Sequence, residues 1–338
     1  MRRSNLWRAP LQPLGWAFHG LAGLRAALYE SDRLKRVSLP RPAVSVGNLT
    51  FGGTGKTPVT VFLAGLAREL GGRPAVLLRG YGRSSAGARV VGPGDTPETV
   101  GEEALLLARS LPGVPVAVGE RREEAAALVA DACDLFLLDD AFQHLRVRRD
   151  LNLLLVDASR PDDLCAPPLG RLREPLKAAR RADMVIVTRG GAADLPEVMR
   201  PWTEGVPVLG CRFTWSRFGP SEGRSAWWHF EGRPLVAFAG VGNPEAFFAQ
   251  ARQEGLRVVS ALAFPDHAVP TPERLAAVLG AARKSGASAV LTTAKDAVKW
   301  APLWTGDVPL VWPELEVGLE DPAGALRRRF AALLEERR

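Results

Sequence analysis

The chain holds only three cysteines in 338 residues, Cys133, Cys165 and Cys211, and none belongs to a CxxC pair or a Cys/His cluster. That excludes a disulfide scaffold and a structural zinc site, and it fits a reducing compartment. No uninterrupted apolar run reaches the length of about 18 residues that a spanning helix needs. No internal repeat signals a solenoid. No G-x-G-x-x-G opens the first helix after the first strand, which removes a dinucleotide fold. A recognisable nucleic-acid module and an aromatic–basic repeat are both missing, so no nucleic-acid partner is expected.

What is present is apolar and basic. Hydrophobic residues make up 46% of the chain and charged residues 24%, which argues against disorder. Lys and Arg number 44 against 37 Asp and Glu, a net charge of +7, and the pI is near 9.8. Such a surface favours anionic partners, from nucleotides to acidic lipid headgroups. The length suggests roughly two domains.

Basic and greasy character is concentrated at the start. Trp7, Leu11, Leu14, Phe18, Leu21 and Leu28 recur at helical steps, broadened by Trp16, Ala17 and Ala22. Pro10 and Pro13 place the helix start near Leu14. Arg2, Arg3, Arg8, Arg25, Arg33, Lys35 and Arg36 face only Glu30 and Asp32. Residues 1–38 therefore read as an amphipathic arm, either an interfacial helix on an anionic membrane or a helix packed on the main domain. A cleaved signal peptide is disfavoured, because no small-residue cleavage site ends the apolar run.

Beyond the arm, nearly continuous apolar runs at 43–46, 75–78, 135–138, 152–156, 184–188 and 206–209 read as buried parallel strands. Helical stretches at 59–70, 102–110 and 120–130 alternate with them, giving α/β order. Strands at 235–239, 258–262 and 289–292 and helices at 244–253 and 272–285 form a second, smaller group. The expected organisation is a P-loop NTPase-like α/β/α core over 39–214, a linker at 215–233, a smaller α/β domain over 234–320 and a C-terminal helix over 321–338.

The core class rests on Gly52-Gly53-Thr54-Gly55-Lys56-Thr57, directly after the first strand. Clustered phosphate charge needs inward backbone N–H groups, and glycine permits that curve. Lys56 can reach the β/γ-phosphates, Thr57 can join a Mg²⁺ shell, and the next helix points its N-terminus at the same charge. Thr50 stands where the general pattern has glycine. ATP and Mg²⁺ are the cofactors implied.

Asp139 and Asp140 close an apolar strand, where an acid suits Mg²⁺ or its water shell, Asp139 being the nearer; helix capping competes for Asp140. His144 follows and can position a hydroxyl or simply brace its loop. Arg79-Gly80-Tyr81-Gly82-Arg83 is a second candidate anion loop, with planar guanidinium donors. These features fit a small-molecule kinase, a membrane-associated ATPase or a regulatory NTPase. A GTPase is weaker, because Thr292-Thr293-Ala294-Lys295-Asp296 lacks the asparagine of N-K-x-D.

The run Val46-Gly47-Asn48-Leu49-Thr50-Phe51-Gly52-Gly53-Thr54-Gly55-Lys56-Thr57-Pro58 resembles the tetraacyldisaccharide 4′-kinases of lipid A biosynthesis, Thr50 included. So do Arg79–Arg83, Asp139–His144, Leu172–Leu176, Phe264–His267 and Thr292–Asp296, in the same order. The resemblance implies ATP-dependent phosphorylation of the 4′-hydroxyl of tetraacyldisaccharide 1-phosphate on the cytoplasmic face of the Gram-negative inner membrane, without an obligate protein partner. It places Asn48, Thr50, Gly52–Thr57 and Lys56 on the nucleotide, and Tyr81, Arg79, Arg83, Gln143, His144 and Arg173 near the acceptor. The family's Gly-Asp-Glu-Pro motif falls on Gly101-Glu102-Glu103-Ala104, making Glu102 the general base with one extra methylene. His267 would orient it, Glu103 would join Asp139, Asp140 and Thr57 near Mg²⁺, and Glu174 would support that region. Read alone, Glu102 and Glu103 are acids in a first helical turn, and His267 sits in a turn.

Overall fold

A computed structural model describes residues 12–219 and 230–335. Its strands are β1 (Ala43–Asn48), β2 (Pro74–Leu78), β3 (Arg89–Val90), β4 (Val116–Val118), β5 (Leu135–Asp139) and β6 (Leu151–Asp157). After these come β7 (Met184–Thr188), β8 (Val208–Gly219), β9 (Pro234–Ala239), β10 (Arg257–Ala263), β11 (Ala289–Leu291) and β12 (Leu310–Glu320). Among the described residues all twelve join one sheet, in the order β10-β9-β11-β12-β8-β7-β6-β1-β5-β2-β4-β3. Pairing is parallel from β8 to β4 and again from β10 to β12, with antiparallel joins at β12–β8 and β4–β3.

β1, β2, β5, β6 and β7 are buried at every position, as unbroken apolar runs require when helices cover both sheet faces. Helix α2 (Lys56–Glu69) follows the glycine loop and buries Val59, Leu63, Ala64, Leu66 and Ala67. A side chain such as Leu63, fully buried, contributes roughly 1.5–3 kcal/mol. Short α3 (Pro97–Val100), α4 (Glu102–Ser110) and α5 (Arg122–Val129) complete the first half. In the second, α6 (Pro244–Gln253), α7 (Pro272–Ser285) and α8 (Ala294–Trp300) flank β9 and β11, and α9 (Ala325–Glu335) returns to pack Leu326 and Phe330 into the first core. The C-terminal helix thus begins at Ala325; residues 336–338 lie outside the described region.

The expected linker differs from what is found. Residues 215–219 are the end of β8, and the strand expected at 206–209 runs on to Gly219. β8 pairs with β12 from Gly210↔Glu320 to Gly219↔Trp312, carrying the sheet from one half into the other. The reason is a period-2 pattern, with Arg212, Thr214 and Ser216 exposed and Phe213 and Trp215 turned inward; a register shift after Trp215 then resets the phase and buries Phe218.

The arm forms α1 (Gln12–Glu30), starting two residues before Leu14 with Pro13 in its first turn. Trp7, Leu11, Arg2, Arg3 and Arg8 lie outside the described residues. α1 docks through small residues: Gly15 and Ala26 are buried, and a Cβ at Gly15 would collide with the Pro167 carbonyl. His19 Nε2 lies 3.1 Å from Leu172 O, and Arg25 donates to Gln143 O at 3.4 Å. The large apolar side chains point away from the body, Leu14 and Leu21 being 69% exposed and Trp16 65%. No described helix is long and apolar enough to cross a membrane.

Candidate active site

Most of the chemistry-bearing segments leave the C-terminal ends of parallel strands, the edge where open α/β sheets bind ligands; Glu102 is the exception, opening α4 after α3 and the antiparallel β3. After β1 the chain turns through Gly52 (φ 112°) and Gly55 (φ 87°) into α2. A Cβ on Gly55 would lie 2.7 Å from Phe213 Cε2, so only glycine allows the loop to nest against β8. Lys56 Nζ reaches Asn48 Oδ1 and Asp140 Oδ1, each at 3.5 Å, both long contacts that leave donor capacity for an anion. Asn48 Nδ2 donates to Thr50 Oγ1 at 3.2 Å, which braces the loop's entry. Thr57 is half-buried in the first turn of α2 and Thr54 Oγ1 is buried without a partner.

Asp139 ends β5 and turns toward α2, where Thr60 Oγ1 donates to its Oδ1 at 2.8 Å. Its Oδ2 is buried and has no hydrogen-bond partner. Burial, with help from the Glu103 charge, pushes the Asp139 carboxyl up to about 7 against the pull of Lys56 and Thr60. Asp140 has φ 48° and turns the other way, meeting Arg173 Nη1 at 2.9 and 3.0 Å. Burial raises its carboxyl, but Lys56 and Arg173 outweigh that and hold it below the ordinary range. Asp140 is therefore a partner of cations rather than a helix cap.

Gln143 donates to Asn48 O at 2.8 Å and to Glu174 Oε2 at 3.4 Å, and it accepts from Arg173 at 3.4 Å. Buried Glu174 is taken up by Arg181, 2.5 Å away, so its carboxylate braces Gln143. Burial and the charges of Arg122 and Arg149 push His144 down to about 4, which keeps it neutral near pH 7. Its Nε2 is buried without a hydrogen-bond partner.

Glu102 and His267 come from opposite halves of the sheet and meet, Oε2 to Nδ1, at 3.1 Å. Glu102 opens α4 after Gly101; His267 follows β10 in a left-handed turn, φ 60°. Burial pushes the Glu102 carboxyl up, but the His267 hydrogen bond and the Lys299 charge hold it below its ordinary value, so it is ionised at neutral pH. The same bond raises His267 against burial and the nearby Lys295 charge. Lys299 Nζ lies 3.1 Å from Glu102 Oε1 and 3.7 Å from Asp296 Oδ1. Beside them, a Cβ on Gly101 would lie 2.9 Å from Tyr81 O, so the Arg79–Arg83 loop rests on the start of α4. Tyr81 is exposed with its ring 6.4 Å from that of His267; Arg79 is exposed, and Arg83 Nη2 is tied to Gly87 O at 2.6 Å.

Residues 7–334 match the family model for tetraacyldisaccharide-1-P 4′-kinase. The chain belongs to that family. A tetraacyldisaccharide 4′-kinase of Pelobacter propionicus is 41% identical over 93% of this chain and 89% of its own length. One from Geobacter metallireducens is 39% identical over 88% and 90%. The fold matches a crystal structure of LpxK from Aquifex aeolicus, described as an "apo" form in complex with ATP, with a TM-score of 0.78 and 29% identity over 97% of this chain and all of that one.

Of the residues singled out from sequence, the fold of this family member brings Lys56, Asn48, Asp140, Gln143, Arg173 and Glu174 into one network and Glu102 with His267 into another. Lys299, Arg181 and Phe213 carry no functional signal in the sequence alone. Lys299 reads as one more surface charge until Glu102 is placed against it, and Phe213 as an ordinary apolar residue just before the expected linker. Lys295 stands in the sequence only as a member of Thr292–Asp296, yet its Nζ lies 3.3 Å from His267 Nε2.

Proposed function

We propose that the protein transfers the γ-phosphate of ATP to the 4′-hydroxyl of tetraacyldisaccharide 1-phosphate, forming the 4′-phosphorylated lipid A precursor. The observation that carries this reading is an ionised Glu102, held by His267, at the same sheet edge as the phosphate loop. Loop N–H groups and Lys56 bind the ATP phosphates. Glu102 takes the hydroxyl proton, the alkoxide oxygen bonds to the γ-phosphorus, and the bond to the β-phosphate oxygen breaks to release ADP. The exposed Arg79 and Tyr81 and the Arg173 network stand where the anionic disaccharide would enter. Thr57 and Asp139, whose orphaned Oδ2 suits a hard cation, would hold Mg²⁺. Among the described residues no cluster of three or more His, Cys, Asp or Glu is present. When bound, that ion would neutralise phosphate charge.

Residues 39–214 would act as the nucleotide-binding unit and 234–320 as the unit that brings His267, with closure excluding water. The outward apolar face of α1 and the basic surface support peripheral attachment at an anionic membrane, assigned here to the cytoplasmic face of the Gram-negative inner membrane. The test is label transfer from γ-labelled ATP to tetraacyldisaccharide 1-phosphate presented in vesicles with Mg²⁺, followed by chemical location of the phosphate. Label at the 4′ position is the expected result. ATP hydrolysis without transfer to the sugar would replace this reading with an ATPase.

A further inference from the structure

Two lysines on one helix bracket the Glu102–His267 pair from its two ends. Lys295 and Lys299 are separated by one helical turn of α8 and so share a face. Lys299 Nζ meets Glu102 Oε1 at 3.1 Å, Glu102 Oε2 meets His267 Nδ1 at 3.1 Å, and His267 Nε2 meets Lys295 Nζ at 3.3 Å. The four groups make one line that begins and ends on α8, with Asp266 Oδ1 beside its Lys295 end, 3.8 Å from Lys295 Nζ and 4.0 Å from His267 Nε2. That helix is held firmly. Thr293 caps it by accepting from Asp296 N at 3.1 Å, and Asp296 Oδ2 accepts from Gly240 N at 2.9 Å. Trp300, 1% exposed, lies against Phe238 at 4.4 Å and Phe264 at 5.6 Å.

The chemistry of the line follows from what each group can donate. An ammonium has three N–H donors and no acceptor, so Lys295 at Nε2 requires a lone pair there. A neutral imidazole then carries its proton on Nδ1 and donates it to Glu102 Oε2. Lys299 holds the other carboxylate oxygen, and its side chain is 3% exposed, so the ion pair is shielded from water. We propose that Lys295 and Lys299 are positioning residues: together they select the Nδ1–H tautomer of His267 and fix the Glu102 rotamer, leaving a Glu102 lone pair free for the acceptor hydroxyl. The proposal rests on Glu102 being the proton acceptor of the reaction described above. Without Lys295, the Nε2–H tautomer opens to His267. That tautomer sets two lone pairs against each other at Nδ1 and Oε2, and Glu102 loses its hold.

The test uses full-length protein labelled with ¹⁵N-histidine, with His267 resonances assigned by their loss in His267→Asn. Long-range ¹H–¹⁵N spectra are recorded at a pH above the imidazole titration, for the wild type, Lys295→Met and Lys295→Arg. The wild type should show the Nδ1–H pattern. Lys295→Met should populate Nε2–H and lose about 10- to 10³-fold in kcat with the KM for ATP unchanged, less than the roughly 10⁴-fold that a fully wrong tautomer costs in a Ser-His-Asp triad, because both tautomers stay populated. Lys295→Arg should restore the tautomer and most of kcat. Lys299→Met leaves Glu102 and Asp296 without their shared cation and can fail to fold, so the exposed-side variant decides. An Nε2–H wild type, or a Lys295→Met protein with wild-type tautomer and kcat, overturns the proposal. Glu102→Gln with wild-type transfer would overturn the base reading instead, while the spectra still score the tautomer.

Discussion

Gly55 lies where the nucleotide loop packs against Phe213 of the ribbon joining the two halves, and Gly55→Ala tests that contact. Two costs add. An L-residue at φ 87° sits in the left-handed region, at roughly 1–2 kcal/mol. The new methyl would also lie 2.7 Å from Phe213 Cε2, well inside the ~3.5–4.0 Å of carbon–carbon contact, an overpacking of about 1–3 kcal/mol. The ring cannot retreat freely, because the Arg189 guanidinium lies 5.7 Å from its centroid and is itself held by Asp157 at 2.5 Å. The sum, about 2–5 kcal/mol, corresponds to a loss of some 30- to several-thousand-fold in ATP affinity if it falls on the binding-competent loop. Titration calorimetry with ATP measures it. Gly55→Ala combined with Phe213→Ala should recover the steric share and leave the backbone share, giving a coupling of about 1–3 kcal/mol in the double-mutant cycle. Wild-type ATP affinity in Gly55→Ala, or no coupling in the cycle, would refute the reasoning.

Three further outcomes are expected. Glu102→Gln keeps the shape of the side chain but removes the base, so kcat should fall by about 10²–10⁴-fold while ATP affinity, measured separately, stays within about twofold. His267 is raised in the folded state by Glu102, so its stabilising contribution is complete below the unfolded value near ~6.5 and fades as pH rises through the folded one. The urea midpoint of His267→Asn should accordingly fall furthest below wild type in mildly acidic buffer, and a gap that widens toward alkaline pH would contradict the assignment. On α1, Leu14→Ser with Leu21→Ser removes two outward apolar side chains and should weaken binding to anionic vesicles by roughly 1–3 kcal/mol per residue without changing the melting temperature; unchanged vesicle binding would show that this face does not meet lipid.

Much of the central sheet is legible in the sequence because its strands are buried on both faces, and runs such as Leu135–Leu138 or Leu153–Val156 have no other use. β12 is not, since Glu314, Glu316, Gly318 and Glu320 interrupt it with charge and glycine; those residues belong to a ribbon with little core of its own. The same logic hides the end of β8 behind a segment rich in Trp, Ser and Arg. For the site, the phosphate loop is local in sequence and could be read directly. Glu102 and His267 are not: each is an ordinary turn or helix-start residue by itself, and they acquire a chemical meaning only when the fold sets them 3.1 Å apart. Lys299 is the hardest case, because burial reverses the usual expectation that a lysine faces water.

The manner in which α1 is seated has a consequence for reach. His19 touches the carbonyl beside Arg173, and Arg25 touches the carbonyl of Gln143, so the helix lies directly on the two loops that surround Asp140. A helix with its side chains is only about 10–12 Å thick. If its outer side rests at the headgroup level of a bilayer, as proposed, α1 works as a depth gauge: it sets the height of the reacting atoms above the acyl chains. A sugar head could then be modified in place, its tails never leaving the leaflet.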